Sequence, residues 1–159
     1  NVYRRSIIAD GSEMPPVNFR RILPPGIYTS MGWEVHPPAL FDILAYVHEN
    51  YEPGDLYITE NGAAFEDNAL AAGAIVDLER ARYMVDHLEQ AARASGAGIP
   101  LKGYFAWTLM DNFEWASGFE PRFGLIHVDH ETQRRRFKAS GSLFAEVAAG
   151  AGREAQCAG

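Results

Sequence analysis

The chain has 159 residues and a net charge of −7, and its composition, 47% hydrophobic and 22% charged, is ordinary for a globular protein. The acidic balance argues against a nucleic-acid partner, because phosphate binding requires clustered Lys and Arg. No apolar run approaches the ~20 residues of a membrane span, so no membrane partner is expected. The single cysteine, Cys157, excludes an internal disulfide. The compartment stays open, with the cytoplasm favoured.

The first half of the sequence predicts a strand end, a loop, a helix and a strand. Residues 1–8 are β-prone, and residues 10–25, with their Gly and Pro, are typical of a long loop. A proline pair at 37–38 opens a helix that runs to about Tyr51, because apolar residues recur there at helical spacing. A strand over residues 55–59 follows.

The second half repeats the order of strand, loop and helix. Residues 65–74 predict a loop, and the helix after it ends at the glycines of residues 96–98. Residues 101–108 predict an aromatic strand, 123–128 an antiparallel excursion and 138–148 a last helix. The apolar face predicted for the longer helix consists of Leu78, Ala81, Val85, Leu88 and Ala92. This alternation is typical of an α/β fold.

Two segments that follow predicted strands carry groups suited to a sugar. In Tyr57–Ala63 the strand delivers Glu60 into a glycine turn, and Trp107–Trp115 contains two tryptophans and Glu114. Flat indole rings cover the C–H face of a pyranose, and a carboxylate accepts hydrogen bonds from its hydroxyls. Without their neighbours, these residues are also typical of a surface glutamate and of tryptophans packed in a core.

Five segments, in this order, resemble glycoside hydrolase family one, the retaining β-glucosidase family. They are Asn1–Tyr3, Met31–Trp33, Thr59–Gly62, Phe113–Trp115 and Arg122–Leu125. The resemblance implies an α/β fold, the C-terminal part of a (β/α)8 TIM barrel with about its last three strand-helix units. A whole barrel takes roughly 250 residues. Residues 1–150 are therefore expected to be the C-terminal portion of a single TIM-barrel catalytic domain, and 151–159 a disordered tail.

The resemblance assigns catalysis to Glu60, whose family counterpart is the nucleophile at the end of the seventh barrel strand. Tyr3 matches a family tyrosine that hydrogen-bonds this carboxylate and orients it. Asn1 belongs to the same motif and is otherwise merely a strand end.

The resemblance also implies a set of sugar-binding residues. Trp107 forms the floor beneath the glycone, while Glu114 and Trp115 hold its hydroxyls at carbons four and six. Phe123 matches an aromatic at the edge of the same subsite. Trp33 resembles a residue on the aglycone side, for which structural packing stays an alternative.

The expected substrate is a small-molecule or oligosaccharide β-glycoside with an unphosphorylated glycone. Family members that act on phosphorylated sugars replace the residue at the position of Glu114 and place a lysine downstream. Here Glu114 is present and residues 116–122 contain no lysine.

The resemblance implies that this sequence lacks the second carboxylate of a retaining glycosidase. In the family it lies in an Asn-Glu-Pro motif, which does not occur in the 159 residues. We therefore expect the chain alone to be a poor glycosidase, because loss of a general acid forfeits ~10²–10⁴-fold in rate. The expected partner is the N-terminal part of the barrel, in cis or as a complementing chain. The alternative is a non-catalytic relic or sugar-binding fragment.

The remaining charged residues predict neither a metal nor a cofactor. Residues 134–136 form a basic run that is more typical of a solvated loop than of an anion site. His127 and His130 lie three apart, but beside acidic groups in a strand-to-turn region that favours a solvated loop over a metal site. No glycine-rich phosphate cradle occurs, so no cofactor is expected.

Overall fold

Two parallel strands joined by a helix form the centre of the fold. A computed structural model describes residues 1–10, 19–69 and 75–157. The elements in chain order are β1 (Ile7–Asp10), β2 (Phe19–Ile22), α1 (Pro38–Tyr51), β3 (Leu56–Asn61), β4 (Asn68–Ala69), β5 (Ile75–Val76), α2 (Leu78–Gly96), β6 (Leu101–Ala106), β7 (Ile126–Val128), β8 (Arg135–Phe137) and α3 (Ala139–Cys157). β3 pairs in parallel with β6, and α2 lies between them in the chain. This strand-helix-strand unit confirms the predicted α/β class.

The first residues of the chain run beside β3 on the edge opposite β6. The amide of Val2 donates to the carbonyl of Glu60 at 3.0 Å, and Asn61 Nδ2 donates to the carbonyl of Val2 at 2.6 Å. The sequence predicts a strand end over residues 1–8, whereas in the structure β1 begins only at Ile7. The N-terminal segment is held instead by these contacts with the end of β3.

In two antiparallel strand pairs, one strand lies where the sequence predicts a loop. β1 pairs with β2, which falls within the loop predicted over residues 10–25, and β4 pairs with β5 at the loop predicted over 65–74. The prediction gave weight to Gly and Pro, whereas pairing of short strands is decided by the partner strand. Residues 11–18 and 70–74 lie outside the described residues.

α1 begins at Pro38 and ends at Tyr51, which confirms the predicted helix. Proline is favoured in the first turn, where its missing N–H has no partner to lose. Glu52 ends the helix with a left-handed φ of 45°. The helices pack on β3 through one core cluster, formed by Leu40, Leu44, Ile58, Ala91, Ala94 and Ile99. This core holds β3 and so determines where its C-terminal end lies.

α2 has the predicted bounds but buries a different face. The residues it buries are Arg80, Tyr83, Met84, His87, Ala91 and Ala94. Leu78 and Val85, placed on the apolar face by the sequence, are exposed. That prediction is wrong because the buried face includes two polar residues, Arg80 and His87, which a count of apolar residues does not detect. Both have hydrogen-bond partners, which removes most of the cost of burying a polar group.

The C-terminal part consists of a hairpin and a long helix. β7 and β8 pair antiparallel, so residues 135–136 of the basic run lie on an exposed strand and not in the predicted loop. α3 continues to Cys157, past the predicted end at 148 and into the segment 151–159 predicted as a tail. The Ala, Arg, Glu and Gln of that segment are good helix formers. Across the described ranges, no helix combines the length and apolarity needed to cross a membrane.

His87 is a buried titratable group on α2. Its ring stacks on Tyr83 with centroids 3.8 Å apart, and Nδ1 donates to the Tyr83 carbonyl at 2.7 Å. Burial lowers the pKa of His87 from 6.5 to about 4, because the imidazolium would lose its hydration.

We expect the free energy of unfolding to fall as the pH drops from 6.5 to 4. In that window the unfolded chain binds a proton at His87 that the folded chain does not, whereas above it neither state does. The loss amounts to at most about 3 kcal/mol. Denaturant unfolding of the wild type and of His87→Phe, which keeps an aromatic ring beside Tyr83, measures it. An unchanged pH dependence in His87→Phe would contradict this assignment.

Candidate active site

Glu60 lies within β3, one residue before the strand ends. The sequence predicts the strand to stop at Thr59, but it continues to Asn61. The register slips here, because the three steps from Ile58 to Asn61 match only two steps on β6, from Tyr104 to Ala106. An extra residue of this kind bends a strand and re-aims a side chain, as β-bulges do next to active sites.

Two side chains from the N-terminal segment hold one oxygen of Glu60. Asn1 Nδ2 and the Tyr3 hydroxyl each donate to Oε2 at 2.8 Å, and Thr59 Oγ1 donates to Asn1 Oδ1 at 2.6 Å. Burial and the hydrogen bond to Glu60 raise the pKa of Tyr3 far above its ordinary value, so its phenol stays a donor. Within the described residues, Oε1 of Glu60 accepts no hydrogen bond and is left for a ligand.

Asn61 ties three parts of the chain to the end of β3. Its side chain is buried, and Nδ2 donates both to the Val2 carbonyl and, at 3.1 Å, to the Tyr83 hydroxyl. Oδ1 accepts from the Tyr104 hydroxyl, and the main-chain carbonyl accepts from the Trp107 amide at 2.8 Å. The N-terminal segment, α2 and β6 therefore meet at this one residue.

Gly62 lets the chain after β3 touch the chain after β6. A Cβ at this position would lie 1.8 Å from the carbonyl oxygen of Trp107, which no side chain can tolerate. The sequence predicts a glycine turn, yet the φ of Gly62 lies outside the left-handed region. The glycine is therefore required by the close approach of the two backbones.

A cavity of about 270 Å³ brings together the seven residues for which the sequence predicts a role in the site. It is lined by Tyr3, Trp33, Glu60, Trp107, Glu114, Trp115 and Phe123. The chain has three tryptophans, and all of them line this cavity. The Trp33 ring lies 5.5 Å from that of Tyr3 and 5.9 Å from that of Phe123. Phe123 is 1% exposed and Trp115 79%, so the cavity has a packed wall and an open rim.

Glu114 contributes a buried acceptor to this cavity. Its Oε2 has no hydrogen-bond partner in the described part of the chain. A buried acceptor left in this state costs about 1–3 kcal/mol, which a hydroxyl donor from a ligand would offset. The amide of Glu114 donates to the Gly118 carbonyl at 2.6 Å, across the short 3₁₀ helix Trp115–Ser117. This contact holds the main chain from which the carboxylate projects.

The sequence does not predict a buried ionic cluster that joins the loops around the site. Lys138 Nζ lies 2.9 Å from Asp67 Oδ2 and 2.9 Å from Asp111 Oδ1. His127 Nδ1 donates to Asp67 at 2.7 Å, so its predicted place in a solvated loop is wrong. Burial alone would raise the pKa of Asp67, but the hydrogen bonds from Lys138 and His127 hold it below the ordinary value. No spacing in the sequence marks these distant partners.

The same group of side chains contains residue types that bind metal ions. One ligand atom each from Asp67, Asp111 and His127 lies within 4.8 Å of the others. The Lys138 ammonium already contacts both carboxylates, so a cation is supplied by the chain itself. We therefore interpret the group as an ionic network.

Comparison with known proteins supports the resemblance noted in the sequence. Residues 17–153 match the sequence model of the family described as Glycosyl hydrolase family 1. The chain belongs to this family. A 1,4-beta-D-glucan glucohydrolase of Thermotoga neapolitana is 50% identical over 119 residues, which cover 75% of this chain and 27% of that protein. A beta-glucosidase of Agrobacterium sp. is 41% identical over 154 residues, which cover 94% of this chain and 33% of that protein.

A solved family 1 structure extends the likeness to the fold. The family 1 b-glucosidase from Thermotoga maritima matches with a TM-score of 0.89 at 41% identity, over 92% of this chain and 33% of that one. The chain thus spans about a quarter to a third of the length of these family 1 relatives. Because the neighbours are TIM barrels, the prediction that the chain forms part of a (β/α)8 barrel is confirmed.

We expect Gly62→Ala to disturb the site selectively. Its methyl group would meet the Trp107 carbonyl, so one strand end must move, at a cost of about 1–3 kcal/mol in the free energy of unfolding. Near-UV circular dichroism should change as well, since all three tryptophans line the cavity. Gly54→Ala is the control, because nothing lies within 4 Å of a Cβ there. Equal effects of the two variants would contradict the expectation.

Proposed function

We propose that this chain carries the nucleophile and the glycone-binding side chains of a retaining β-glycosidase for unphosphorylated β-glucosides or related β-glycosides. The proposal is carried by one cavity, in which Glu60 meets three tryptophans and Glu114. Among the residues that the structure describes, Glu60 is held at Oε2 and has no partner at Oε1, and Glu114 Oε2 has none. The proposal is supported by relatives named beta-glucosidase and glucan glucohydrolase. The Thermotoga maritima relative has been solved in complex with glucoimidazole.

In the proposed reaction, Oε1 of Glu60 attacks the anomeric carbon. The bond to the leaving oxygen breaks, an acid protonates that oxygen, and a glycosyl ester of Glu60 forms. Water then attacks the same carbon and gives its proton to the deprotonated acid, while the ester bond breaks and Glu60 leaves as a carboxylate. An alcohol in place of water gives transglycosylation. Asn1 and Tyr3 orient the carboxylate through Oε2 and stabilise the charge that returns to it.

Glycone recognition would rest on aromatic faces and one charged acceptor. Trp107 and Trp115 cover the C–H face of the sugar, Phe123 closes an edge, and Glu114 accepts from hydroxyls. A phosphorylated glycone would bring its own negative charge to this carboxylate, and residues 116–122 offer no lysine to neutralise it. A neutral glycone therefore fits best.

The acid/base and the other barrel strands would come from sequence outside these 159 residues, in cis or as a complementing chain. No Asn-Glu-Pro occurs here, and the relatives are three to four times longer than the stretch that matches. Among the described residues β6 pairs with β3 alone, and Tyr57 and Phe105 on these strands are exposed. A barrel strand has a partner on each edge and a covered inner face, so these features fit a surface that further strands cover.

The test is a fusion in which this chain replaces the matched third of the Agrobacterium beta-glucosidase. We expect the fusion to hydrolyse an aryl β-glucoside and a 2-deoxy-2-fluoro aryl glucoside to label it on Glu60, because the fluorine slows breakdown of the glycosyl ester. Glu60→Gln should lower kcat by more than ~10³-fold. Glu66→Gln, an exposed glutamate on the following loop, is the matched control.

Peptide mass spectrometry locates the label. A label on another residue, or an active Glu60→Gln variant, would refute the role of Glu60. An inactive fusion beside an active parent would favour the alternative of a non-catalytic relic or sugar-binding fragment. The chain on its own should be at least ~10²–10⁴-fold slower than the fusion, since it has no general acid.

A further inference from the structure

Arg80 joins two loops from a position behind the cavity. It lies in the first turn of α2, is 1% exposed, and does not line the cavity. Nε donates to the Ala63 carbonyl at 3.2 Å, and Nη2 donates to the Phe65 carbonyl at 2.9 Å and to the Arg122 carbonyl. One guanidinium therefore holds three main-chain carbonyls.

These carbonyls belong to the two segments that carry the opposite sides of the cavity. Ala63 and Phe65 follow Glu60 by three and five residues, on the loop that leaves β3. Arg122 directly precedes Phe123, at the end of the segment 107–123 that also supplies the sugar-binding side chains. A shift of either loop at Arg80 would thus change the distance between Glu60 and the opposite wall.

We propose that Arg80 is a positioning residue that sets the spacing between Glu60 and the segment 107–123. The inference rests on the proposed function, which supplies the roles of the groups so spaced. A guanidinium is planar and donates five N–H bonds in a fixed fork, so it acts as a rigid spacer between acceptors on both sides. An ammonium donates from a single atom, so it does not hold its acceptors at the fixed separation that the fork imposes.

A contribution to the free energy of unfolding does not by itself explain why an arginine is buried here. Nη1 of Arg80 pairs with Asp67 at 3.2 Å and with Asp77. Such buried pairs return about what their desolvation costs, and apolar residues of similar volume often serve equally well. The three carbonyl contacts are what an apolar residue could not replace. They fix geometry, which is the quantity that catalysis depends on.

Lysine at position 80 separates geometry from charge. The cluster of ion pairs contains three carboxylates and three cations apart from the histidine, namely Asp67, Asp77, Asp111, Arg80, Arg122 and Lys138. R80K keeps this balance and removes only the fork. R82K is the matched control, because the side chain of Arg82 lies on the same helix, is 80% exposed and pairs only at 3.9 Å with Asp86.

The decisive experiment compares kcat and KM of these variants in the fusion described above. R80K should lower kcat about 10²-fold, the effect of a misplacement of roughly 1 Å, with KM within about threefold of the parent value. R82K should leave both within twofold. An R80K enzyme with an unchanged kcat would overturn the inference, and so would one in which only KM rises.

A second readout keeps the inference separate from the proposed function. In the 159-residue chain, near-UV circular dichroism reports the cavity through its three tryptophans. If the wild-type fusion is inactive, the proposed function fails, yet a signal changed by R80K and not by R82K still supports Arg80 as the spacer. An unchanged signal overturns it. If R80K does not fold, R80Q takes its place, and unfolding of both would overturn a positioning role.

Discussion

The closeness of the chain segments that leave β3 and β6 governs the rest of this structure. The main-chain carbonyl of Asn61 accepts a hydrogen bond from the Trp107 amide. Because Gly62 has no side chain, the Trp107 carbonyl can occupy the space that a Cβ would need. The helices and the core cluster position the strands, but this backbone contact determines how their ends meet. A carboxylate and an indole from two different strands thereby come to line one cavity.

The buried ions have a different role from the apolar core. Arg80 and Lys138 are almost fully enclosed, together with Asp77 and Asp111. A buried charge that loses its partner is expensive, whereas a complete set is close to neutral in energy. The cluster therefore contributes little to the free energy of unfolding. We interpret its role as specificity, because any other arrangement of the loops would leave a buried charge without a partner. We interpret it as the reason why long irregular segments can hold a site.

The sequence predicts those parts of the fold that local signals determine. α1 is bounded by a proline pair and by Pro53-Gly54, and its predicted ends are correct. The buried face of α2 is not predictable from local signals. Arg80 and His87 can be buried because they donate to the main-chain carbonyls of Phe65 and Tyr83, and no sequence pattern marks these carbonyls as acceptors. The residues that line the cavity are predictable because family motifs link Tyr3, Glu60 and Glu114 across gaps in the sequence. The ionic partners of Asp67 lie up to 71 positions away, at Lys138, and no motif marks them.

The seven cavity residues all come from one continuous stretch of chain, between Tyr3 and Phe123. The relative positions of these residues, together with Arg80 and the contact of Gly62 with Trp107, are therefore inherited as a single block. A crossover between related genes that falls outside this block would exchange the seven cavity residues together, without breaking any contact among them. Evolution could in this way vary other segments of the protein while the geometry of this cavity is kept.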